Sequence, residues 1–397
     1  MNINSKIPGY VLRAFDSLRL RGIPAYLVGG CVRDLMLGSS VHDWDIAAGA
    51  PPEDIAACFE GFRLILDGVK HGTVAVIIDG QKLEITAFRG EGGYSDGRHP
   101  DSVFFVPDIE SDLIRRDFTI NAMALPVDSG GYINPGKIID PLGGMADLRA
   151  KQIRAAGDPA ARFYEDGLRI IRALRFSCRL GFEIEAETSA AVRSCRQMLS
   201  RVSRERTAEE FYKILLCPAP GKILSEYGEV FTAAVGAEPA NTDLIDLSDA
   251  DFVTRCVMLF GDSTADVLYG LKRPKSEISS GKAVSEALTA PYVSIHRRLI
   301  DLGYKDTRRL IDVSYTLGRL SLRESREMIS EADALIEAGA PLKESQLDVS
   351  SEELIALGYT GARLGKLRRE LLYAVADGRT GNSRDKLIDY INKTEPR

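Results

Sequence analysis

Two aspartates in the first fifth of the chain, Asp43 and Asp45, are separated by one residue. If they lie on a β-strand, both side chains point to the same face, because side chains alternate between the faces of a strand. Two carboxylates that project together supply the hard oxygen ligands that Mg²⁺ prefers. A third acid, Glu84, stands between Leu83 and Ile85, so it lies either beside the aspartates or on an exposed strand face. The pattern predicts a magnesium site at Asp43 and Asp45, with Glu84 as a further catalytic candidate.

A pair of glycines, Gly29 and Gly30, separates an apolar strand predicted at 25–28 from a helix predicted at 31–37. Glycines in this position let backbone N–H groups approach a phosphate at the positive end of the helix dipole. Arg33 in the first turn can add charge-assisted hydrogen bonds. A Gly-Gly pair before a helix is also compatible with an ordinary tight turn. The phosphate site is therefore predicted from the combination with the two aspartates.

Arginines recur at every third position after Asp166, at Arg169, Arg172 and Arg175. Residues three apart are neighbours on a helix surface, so we expect Asp166 to adjoin Arg169 on one helix that continues through residue 180. A carboxylate beside a guanidinium offers both acceptors and donors to the edge of a cytosine or an adenine. The alternative is a solvated helix face with i,i+3 salt bridges.

The elements that must position these residues fall into two classes. Short strands and helices alternate over the first 150 residues, including a hairpin predicted at 73–78 and 82–88 across Asp79-Gly80, a favoured two-residue turn. Asp158-Pro159, an N-cap followed by proline, starts a region of helical periodicity that reaches the C-terminus. The predicted fold class is α+β, with an α/β head followed by an all-helical remainder.

Length, cysteine spacing and charge limit the classes of protein to which this chain can belong. The chain has 397 residues, which predicts several domains, and its six cysteines include no C-x-x-C pair, which argues against a zinc site or a disulfide framework. Residues 1–10 lack the layout of a signal peptide, and no apolar run is long enough for a bilayer. We therefore expect a cytoplasmic protein with no membrane association. The net charge of −6 does not by itself indicate a nucleic-acid binder.

The order and spacing of the motifs resemble one protein family. Gly-Gly-Cys-Val-Arg-Asp at 29–34, followed by Asp-Trp-Asp-Ile at 43–46, resembles the class II branch of the nucleotidyltransferase superfamily, which contains tRNA CCA-adding enzymes and bacterial poly(A) polymerases. Further blocks resembling the family's motifs follow in its order, at 115–124, 140–144, 165–169 and 205–210.

This resemblance implies template-independent addition of CCA to the 3′ end of tRNA from CTP and ATP, most like a bacterial CCA-adding enzyme. It implies two Mg²⁺ ions held by Asp43 and Asp45, and base selection by Asp166 and Arg169. The implied nucleotide contacts are Gly30, Arg33, Arg116, Asp166, Arg169, Arg172 and Arg175. The implied partner is the acceptor arm of tRNA, with no obligatory protein partner. The implied domains are a catalytic head (1–150), a nucleotide-selecting neck (151–217), an RNA-binding body (218–335) and a tRNA-binding tail (336–397).

The glycine- and charge-rich segment 89–102, with Tyr94, Asp96, Arg98 and His99, is long for a loop of a compact domain, which is typical of functional lids. The resemblance implies a loop that helps to switch between adding C and adding A. An ordinary hairpin connection is the alternative.

Several functions remain open at this point. A poly(A) polymerase is the main alternative, although a longer basic C-terminal extension would be expected for it. Homologues that add only CC or only A are also compatible with the motifs. A catalytically silent RNA-binding relative is disfavoured by the Asp43–Asp45 pair, and a small-molecule nucleotidyltransferase by the extended helical half.

Overall fold

A computed structural model describes residues 7–92, 102–106, 108–247 and 250–394. The chain folds as two compact units. The first comprises Met1–Cys217 and Tyr227–Val235, and the second comprises Pro218–Glu226 and Gly236–Arg397. The finer division into head, neck, body and tail stays a prediction.

The strands of the described residues all belong to the first unit. They are β1 Ala25–Val28, β2 Asp45–Ala48, β3 Arg63–Ile65, β4 Thr73–Ile78, β5 Gln81–Ala87, β6 Arg89–Gly92, β7 Ser102–Phe105, β8 Ala124–Pro126, β9 Gln152–Ile153 and β10 Glu183–Ile184. Six of them form one sheet in the order β3-β4-β5-β2-β1-β8. Within it β2 and β5 run parallel, which places Asp45 directly opposite Glu84.

The first unit also contains ten helices in its described residues. They are α1 Gly9–Leu20, α2 Gly30–Leu37, α3 Pro52–Ala57, α4 Ile109–Ile114, α5 Gly144–Ala150, α6 Pro159–Glu165, α7 Leu168–Leu180, α8 Ala186–Ser194, α9 Arg204–Leu215 and α11 Gly228–Val235.

The second unit contains helices and loops but no strand in its described residues. Its helices are α10 Gly221–Glu226, α12 Phe252–Phe260, α13 Thr264–Gly270, α14 Lys275–Thr289, α15 Ile295–Thr316, α16 Leu322–Glu337, α17 Ser351–Ala356, α18 Gly361–Ala376 and α19 Arg384–Thr394. One of its cores surrounds Leu354, Leu371, Leu372 and Leu387, each fully buried. The α+β class predicted from the sequence is confirmed.

Local sequence signals account for several boundaries. Asp79 and Gly80 have φ angles of 51° and 75°, the left-handed pair that a tight two-residue hairpin turn needs between β4 and β5. The Asp158 side chain accepts a hydrogen bond from the backbone N–H of Ala161, and Pro159 is the first residue of α6. Both features were predicted.

The expectation of one helix through residue 180 is wrong. Asp166 is extended, with φ −144° and ψ 105°, and ends α6, so α7 begins separately at Leu168. Gly167 lies so close to residues 198–202 that an added Cβ would be 2.5 Å from the carbonyl oxygen of Met198. This packing is long-range, so helical spacing alone could not reveal the break.

The two ends of the predicted lid lie in β6 and β7, which pair antiparallel as a two-stranded ribbon. Its residues Tyr94, Asp96, Arg98 and His99 lie outside the described residues. The lid therefore stays a prediction. Among the helices that the structure describes, none has both the length and the apolar character that a membrane-spanning helix requires.

One face of the central sheet is covered by α4. Ile109 and Leu113 of α4 pack with Val28 and Ala47 in a buried cluster. Ala47 lies on the same face of β2 as Asp45, because the two are separated by one residue. Helix α4 ends at Ile114, and Arg116 follows it closely. The charge of Arg116 acts on Asp45.

Close packing at the start of α5 gives a test of this core. An alanine Cβ at Gly144 would lie 2.2 Å from the carbonyl oxygen of Thr119, so Gly144→Ala forces two backbone segments apart. We expect the free energy of unfolding of the first unit to fall by about 1–3 kcal/mol, as overpacking does elsewhere. Gly143→Asn is the control, because Gly143 has φ +75° with open space around it and asparagine tolerates that conformation. Denaturant unfolding that ranks Gly143→Asn as the more damaging change would contradict this packing.

Candidate active site

The turn between β1 and α2 brings a helix N-terminus to the site. Gly29 has φ +73° and precedes α2, whose first residue is Gly30. A Cβ at Gly29 would lie 3.2 Å from Nη1 of Arg116 and 3.8 Å from Oδ2 of Asp45. Glycine therefore allows a guanidinium and a carboxylate to approach the backbone closely, and phosphate binding at this turn stays a prediction.

Asp43 and Asp45 line the same cleft. Only Asp45 belongs to β2, whereas Asp43 lies in the segment before it, so alternation along a strand does not account for the position of Asp43. Trp44 between them is buried. Among the described residues, no N–H or O–H group donates a hydrogen bond to either carboxylate.

Charges crowd around Asp45. Burial raises the pKa of its carboxyl, the charges of Glu84 and Asp43 raise it further, and Arg116 acts in the opposite direction. A cation between the aspartates would relieve this repulsion. No group of three or more acidic, histidine or cysteine ligands occurs in the described residues. Mg²⁺ commonly uses one or two carboxylates and completes its octahedron with water and substrate phosphates, so the donor set fits this ion.

Glu84 occupies a different environment. Its neighbours Leu83 and Ile85 are buried, and Glu84 faces outward as the sequence indicated. Its carboxylate forms an ion pair with Lys82 at 2.7 Å, with the side chain 49% exposed. It does not line the cleft, but it is the register partner of Asp45.

Two arginines approach the Gly29-Gly30 turn from different sides. Arg33 is 3% exposed and is held by Asp34 and by the side-chain oxygen of Asn121, at 2.8 Å in each case. Arg116 binds Asp112 through Nη2 at 3.0 Å, whereas its Nε is buried without a hydrogen-bond partner. Arg116 therefore retains donors for a ligand.

Asp166 and Arg169 do not form the predicted side-chain pair. The Asp166 carboxylate accepts from the backbone N–H of Leu168 at 3.0 Å and from two nitrogens of Arg206 at 2.7 and 3.2 Å. Arg169 binds Glu165 at 2.5 Å. The expected adjacency fails because the helix break turns Asp166 into a cap of α7. Their backbones remain joined, since the N–H of Arg169 donates to the carbonyl of Asp166.

The next two arginines bind carboxylates that are distant in sequence. Arg172 forms a two-pronged contact with Asp117, at 2.9 and 2.5 Å, and Arg175 binds Glu210. Burial acts to lower the pKa of Arg172, but the charges of Asp117 and Glu210 outweigh it and raise that pKa. These guanidiniums are thus fixed in place before any ligand binds.

An aromatic ring lies among these cations. The guanidiniums of Arg33, Arg172 and Arg175 lie 5.3, 5.3 and 4.2 Å from the centre of the Phe176 ring. Phe176 also packs edge-on against Phe118 at 5.6 Å. The ring face attracts the cations and keeps them on one wall of the cleft.

Together these groups line a cleft of about 450 Å³. Of the residues singled out from the sequence, seven line it and three do not. Those that line it are Gly30, Arg33, Asp43, Asp45, Arg116, Arg172 and Arg175; those that do not are Glu84, Asp166 and Arg169. The last two still act on the cleft, because the negative charge of Asp166 raises the pKa of Arg172 and Arg169 helps to lower the pKa of Asp117.

Sequence reasoning missed several lining residues. Phe176, Arg179 and Lys213 all contribute to the cleft, as does His42. Arg179 had a detectable signal, because it follows Arg172 and Arg175 at i+7 and i+4 and so shares their helix face. The others carry no local signal. Cys31, beside the glycine turn, is no nucleophile, since burial raises the pKa of its thiol to about 12.

Comparison with known proteins gives consistent results. Residues 25–154 match the family model of the poly A polymerase head domain, and residues 181–228 match a probable RNA and SrmB-binding site of polymerase A. The CCA-adding enzyme of Streptococcus gordonii is 32% identical, with 96% of each chain covered. That of Leuconostoc mesenteroides is 35% identical, with 94% of each covered. The crystal structure of the Bacillus stearothermophilus CCA-adding enzyme in complex with CTP has a TM-score of 0.78 at 28% identity and covers 97% of this chain and 96% of its own.

The Arg172–Asp117 pair makes stability depend on pH in a defined direction. Burial acts to raise the pKa of Asp117, but Arg172, Asn121 and Arg169 hold it below its usual value. The pair therefore stabilises the fold fully above the unfolded pKa of about 3.9, and the contribution is lost as pH falls through the folded pKa.

Asp117→Asn should lower the free energy of unfolding at pH 7 by on the order of 3 kcal/mol, because Arg172 loses its counter-charge. The difference from the unmutated protein should shrink below about pH 3.9. Asp16→Asn is the control, since Asp16 forms an exposed pair with Arg19 that contributes little. Equal effects of the two substitutions in denaturant titrations at pH 7 would contradict this account.

Proposed function

This chain belongs to the family of CCA-adding enzymes, within the class II nucleotidyltransferases, and from that membership and the geometry of the cleft we propose that it adds C, C and A in turn to the 3′ end of tRNA. The nucleotides come from CTP and ATP, and pyrophosphate is released. The observation that carries the proposal is a single cleft in which Asp43 and Asp45 face a row of arginines and a glycine turn.

Asp43 and Asp45 would hold the metal, because their oxygens have no donor among the described residues and face the cleft. Mg²⁺ bound there would polarise the α-phosphate and favour ionisation of the attacking 3′-hydroxyl. Glu84 is proposed as a third carboxylate of the reaction, on the ground of its register position opposite Asp45. It would have to exchange its contact with Lys82 for that role.

The chain's own groups would position the triphosphate. The α2 N-terminus at Gly30 directs backbone N–H groups into the cleft, and Arg116 retains donors beside it. Arg33, Arg172 and Arg175 supply positive charge from the opposite wall, where their carboxylate partners restrict their motion. Restricting these groups beforehand lowers the entropy lost when the nucleotide binds.

Base selection is proposed for Asp166 and Arg169, one presenting acceptors and the other donors. Oδ2 of Asp166 accepts one hydrogen bond, from Arg206, and so retains a lone pair. Arg169 donates from Nη1 and Nη2, which leaves its Nε for a base. Neither residue lines the cleft, so the base must extend beyond it to reach them, and both could then contact it without giving up the bonds that orient them.

The poly(A) polymerase alternative is not favoured, because the relatives that match almost the whole chain are CCA-adding enzymes. The division into head (1–150), neck (151–217), body (218–335) and tail (336–397) is part of the proposal. So is a cytoplasmic location, which the six scattered cysteines indicate.

The reaction can be tested with purified protein and a tRNA that lacks its last three nucleotides. We expect two added residues with CTP alone, and three with CTP and ATP together. ATP alone should extend only tRNA that already ends in CC. A long A tail would instead identify a poly(A) polymerase, and arrest after CC with both nucleotides would identify a CC-adding homologue.

The metal assignment can be tested by substitution. Asp43→Asn and Asp45→Asn keep the side-chain shape but remove the charge, so nucleotide incorporation should fall at least about a thousandfold, on the scale of lost electrostatic stabilisation. The Kd for tRNA, measured by filter binding, should change less than about threefold, which corresponds to under 1 kcal/mol.

Two neighbouring substitutions serve as a matched comparison. Glu84→Gln should also slow incorporation if Glu84 acts as the third carboxylate, whereas Lys82→Gln, which removes only its partner, should not. Normal turnover in Asp43→Asn or Asp45→Asn would overturn the metal site. Normal turnover in Glu84→Gln would remove only Glu84 from it.

A further inference from the structure

A second cavity adjoins the larger cleft at Asp45 and Arg116. It has a volume of about 240 Å³ and shares those two residues with the larger cleft. Its remaining lining residues are Val28, Ile46, Thr86, Arg89 and Arg115. Asp45 and Arg116 therefore form a wall that the two cavities share.

The chemistry of this cavity differs from that of the larger cleft. Three guanidiniums, one threonine hydroxyl and the carboxylate of Asp45 supply its polar groups, and among the described residues that line it none is aromatic or carries a side-chain amide. Such a lining can bind phosphate oxygens, but it offers no surface on which a base can stack. The larger cleft, by contrast, contains Phe176 and the Gly29-Gly30 turn.

The arginines of the cavity are organised by one buried carboxylate, Asp112. Its Oδ1 accepts from Arg115 at 2.6 and 3.1 Å and from the backbone N–H of Arg89 at 3.3 Å, and its Oδ2 accepts from Arg116 at 3.0 Å. Arg115 also donates to the carbonyl of Arg89 at 2.8 Å. Asp112 is fully buried. The arginines are thus held as a group by the end of α4 and the start of β6.

We propose that this second cavity binds the 3′-terminal phosphodiester of the RNA acceptor strand, while the larger cleft holds the nucleoside triphosphate. The proposal rests on the function given above. It places the RNA 3′-hydroxyl at the shared wall, beside Asp45. There the 3′-oxygen bonds to the α-phosphorus and the bond from that phosphorus to the bridging oxygen of the β-phosphate breaks. Pyrophosphate leaves with the electron pair, and the hydroxyl proton passes to water.

The volumes support this assignment of the two substrates. A nucleoside triphosphate needs space for a base, a sugar and three phosphates, and the larger cleft has nearly twice the volume of the second cavity. A single phosphodiester needs only a small cationic cavity. Both cavities reach Asp45, so their ligands can meet there without either passing through the other's site.

Matched arginine substitutions can show which cavity binds tRNA and which binds CTP. Arg89→Gln and Arg115→Gln should each raise the KM for tRNA about tenfold, which corresponds to one charge-assisted contact of about 1.4 kcal/mol, and should leave the KM for CTP within about twofold. Arg179→Gln, which alters only the larger cleft, should show the opposite pattern. Arg115→Lys should restore part of the affinity for tRNA, because it keeps the charge but not the fork. Thermal melting identifies any variant that fails to fold. If Arg115→Gln fails to fold, the milder change Arg89→Gln still tests the proposal.

A second readout does not depend on catalysis. The slope of log Kd for tRNA against log salt should become shallower by about 0.7 in Arg89→Gln, as expected for one lost contact to single-stranded phosphate. Arg19→Gln, whose side chain is 41% exposed on α1 and lines neither cavity, should leave that slope unchanged. An unchanged slope in Arg89→Gln, or a raised KM for CTP with normal KM for tRNA, would overturn the proposal. Failure of the unmutated protein to extend tRNA would count against the proposed function instead, and the salt slope would still report on the cavity.

Discussion

The buried and half-buried charges around the cleft are neutralised unevenly, and the rest of the site depends on this difference. Around the cleft, arginines bind almost every carboxylate: Arg33 with Asp34, Arg115 and Arg116 with Asp112, Arg172 with Asp117, Arg206 with Asp166, and Arg175 with Glu210. Among the described residues, Asp43 and Asp45 have no such partner. Unneutralised carboxylates in a partly desolvated site repel each other unless a cation binds. The proposed divalent cation would relieve this repulsion, and the paired arginines are already oriented for the proposed phosphate contacts.

The sheet and two helices enforce this arrangement. Parallel pairing of β2 with β5 places Asp45, the first residue of β2, beside Glu84, and α4 covers the same sheet face and ends just before Arg116, whose charge acts on Asp45. Helix α7 supplies the opposite wall, where Phe176 gathers three guanidiniums. Arg172 and Arg175 are fixed by carboxylates outside α7, and Arg33 is fixed by its neighbour Asp34 and by Asn121. A ligand can then bind without ordering these long side chains anew, which reduces the entropic cost of binding.

Features encoded locally could be predicted from the sequence. The hairpin at Asp79-Gly80, the helix start at Asp158-Pro159 and strand β1 depend on turn chemistry, capping and short apolar runs. The partners of Arg172 and Arg175 could not, because Asp117 and Glu210 are 55 and 35 residues away along the chain. The break at Asp166 also accompanies a long-range contact, the close approach of Gly167 to Met198. Residue types, spacing and the family resemblance thus identified about half of the described residues that line the cleft, whereas tertiary packing decided which charges are paired.

The central claim is that Asp43 and Asp45 bind a divalent cation at the wall between two substrate cavities. Its most direct test is a crystal of the protein grown with Mn²⁺ and a non-hydrolysable CTP analogue, measured at the manganese absorption edge. The account predicts an anomalous peak at ligand distance from both carboxylates, with the analogue's phosphates completing the coordination. A nucleotide in the cleft with no peak at the aspartates, or with Asp43 and Asp45 directed away from each other, would contradict it.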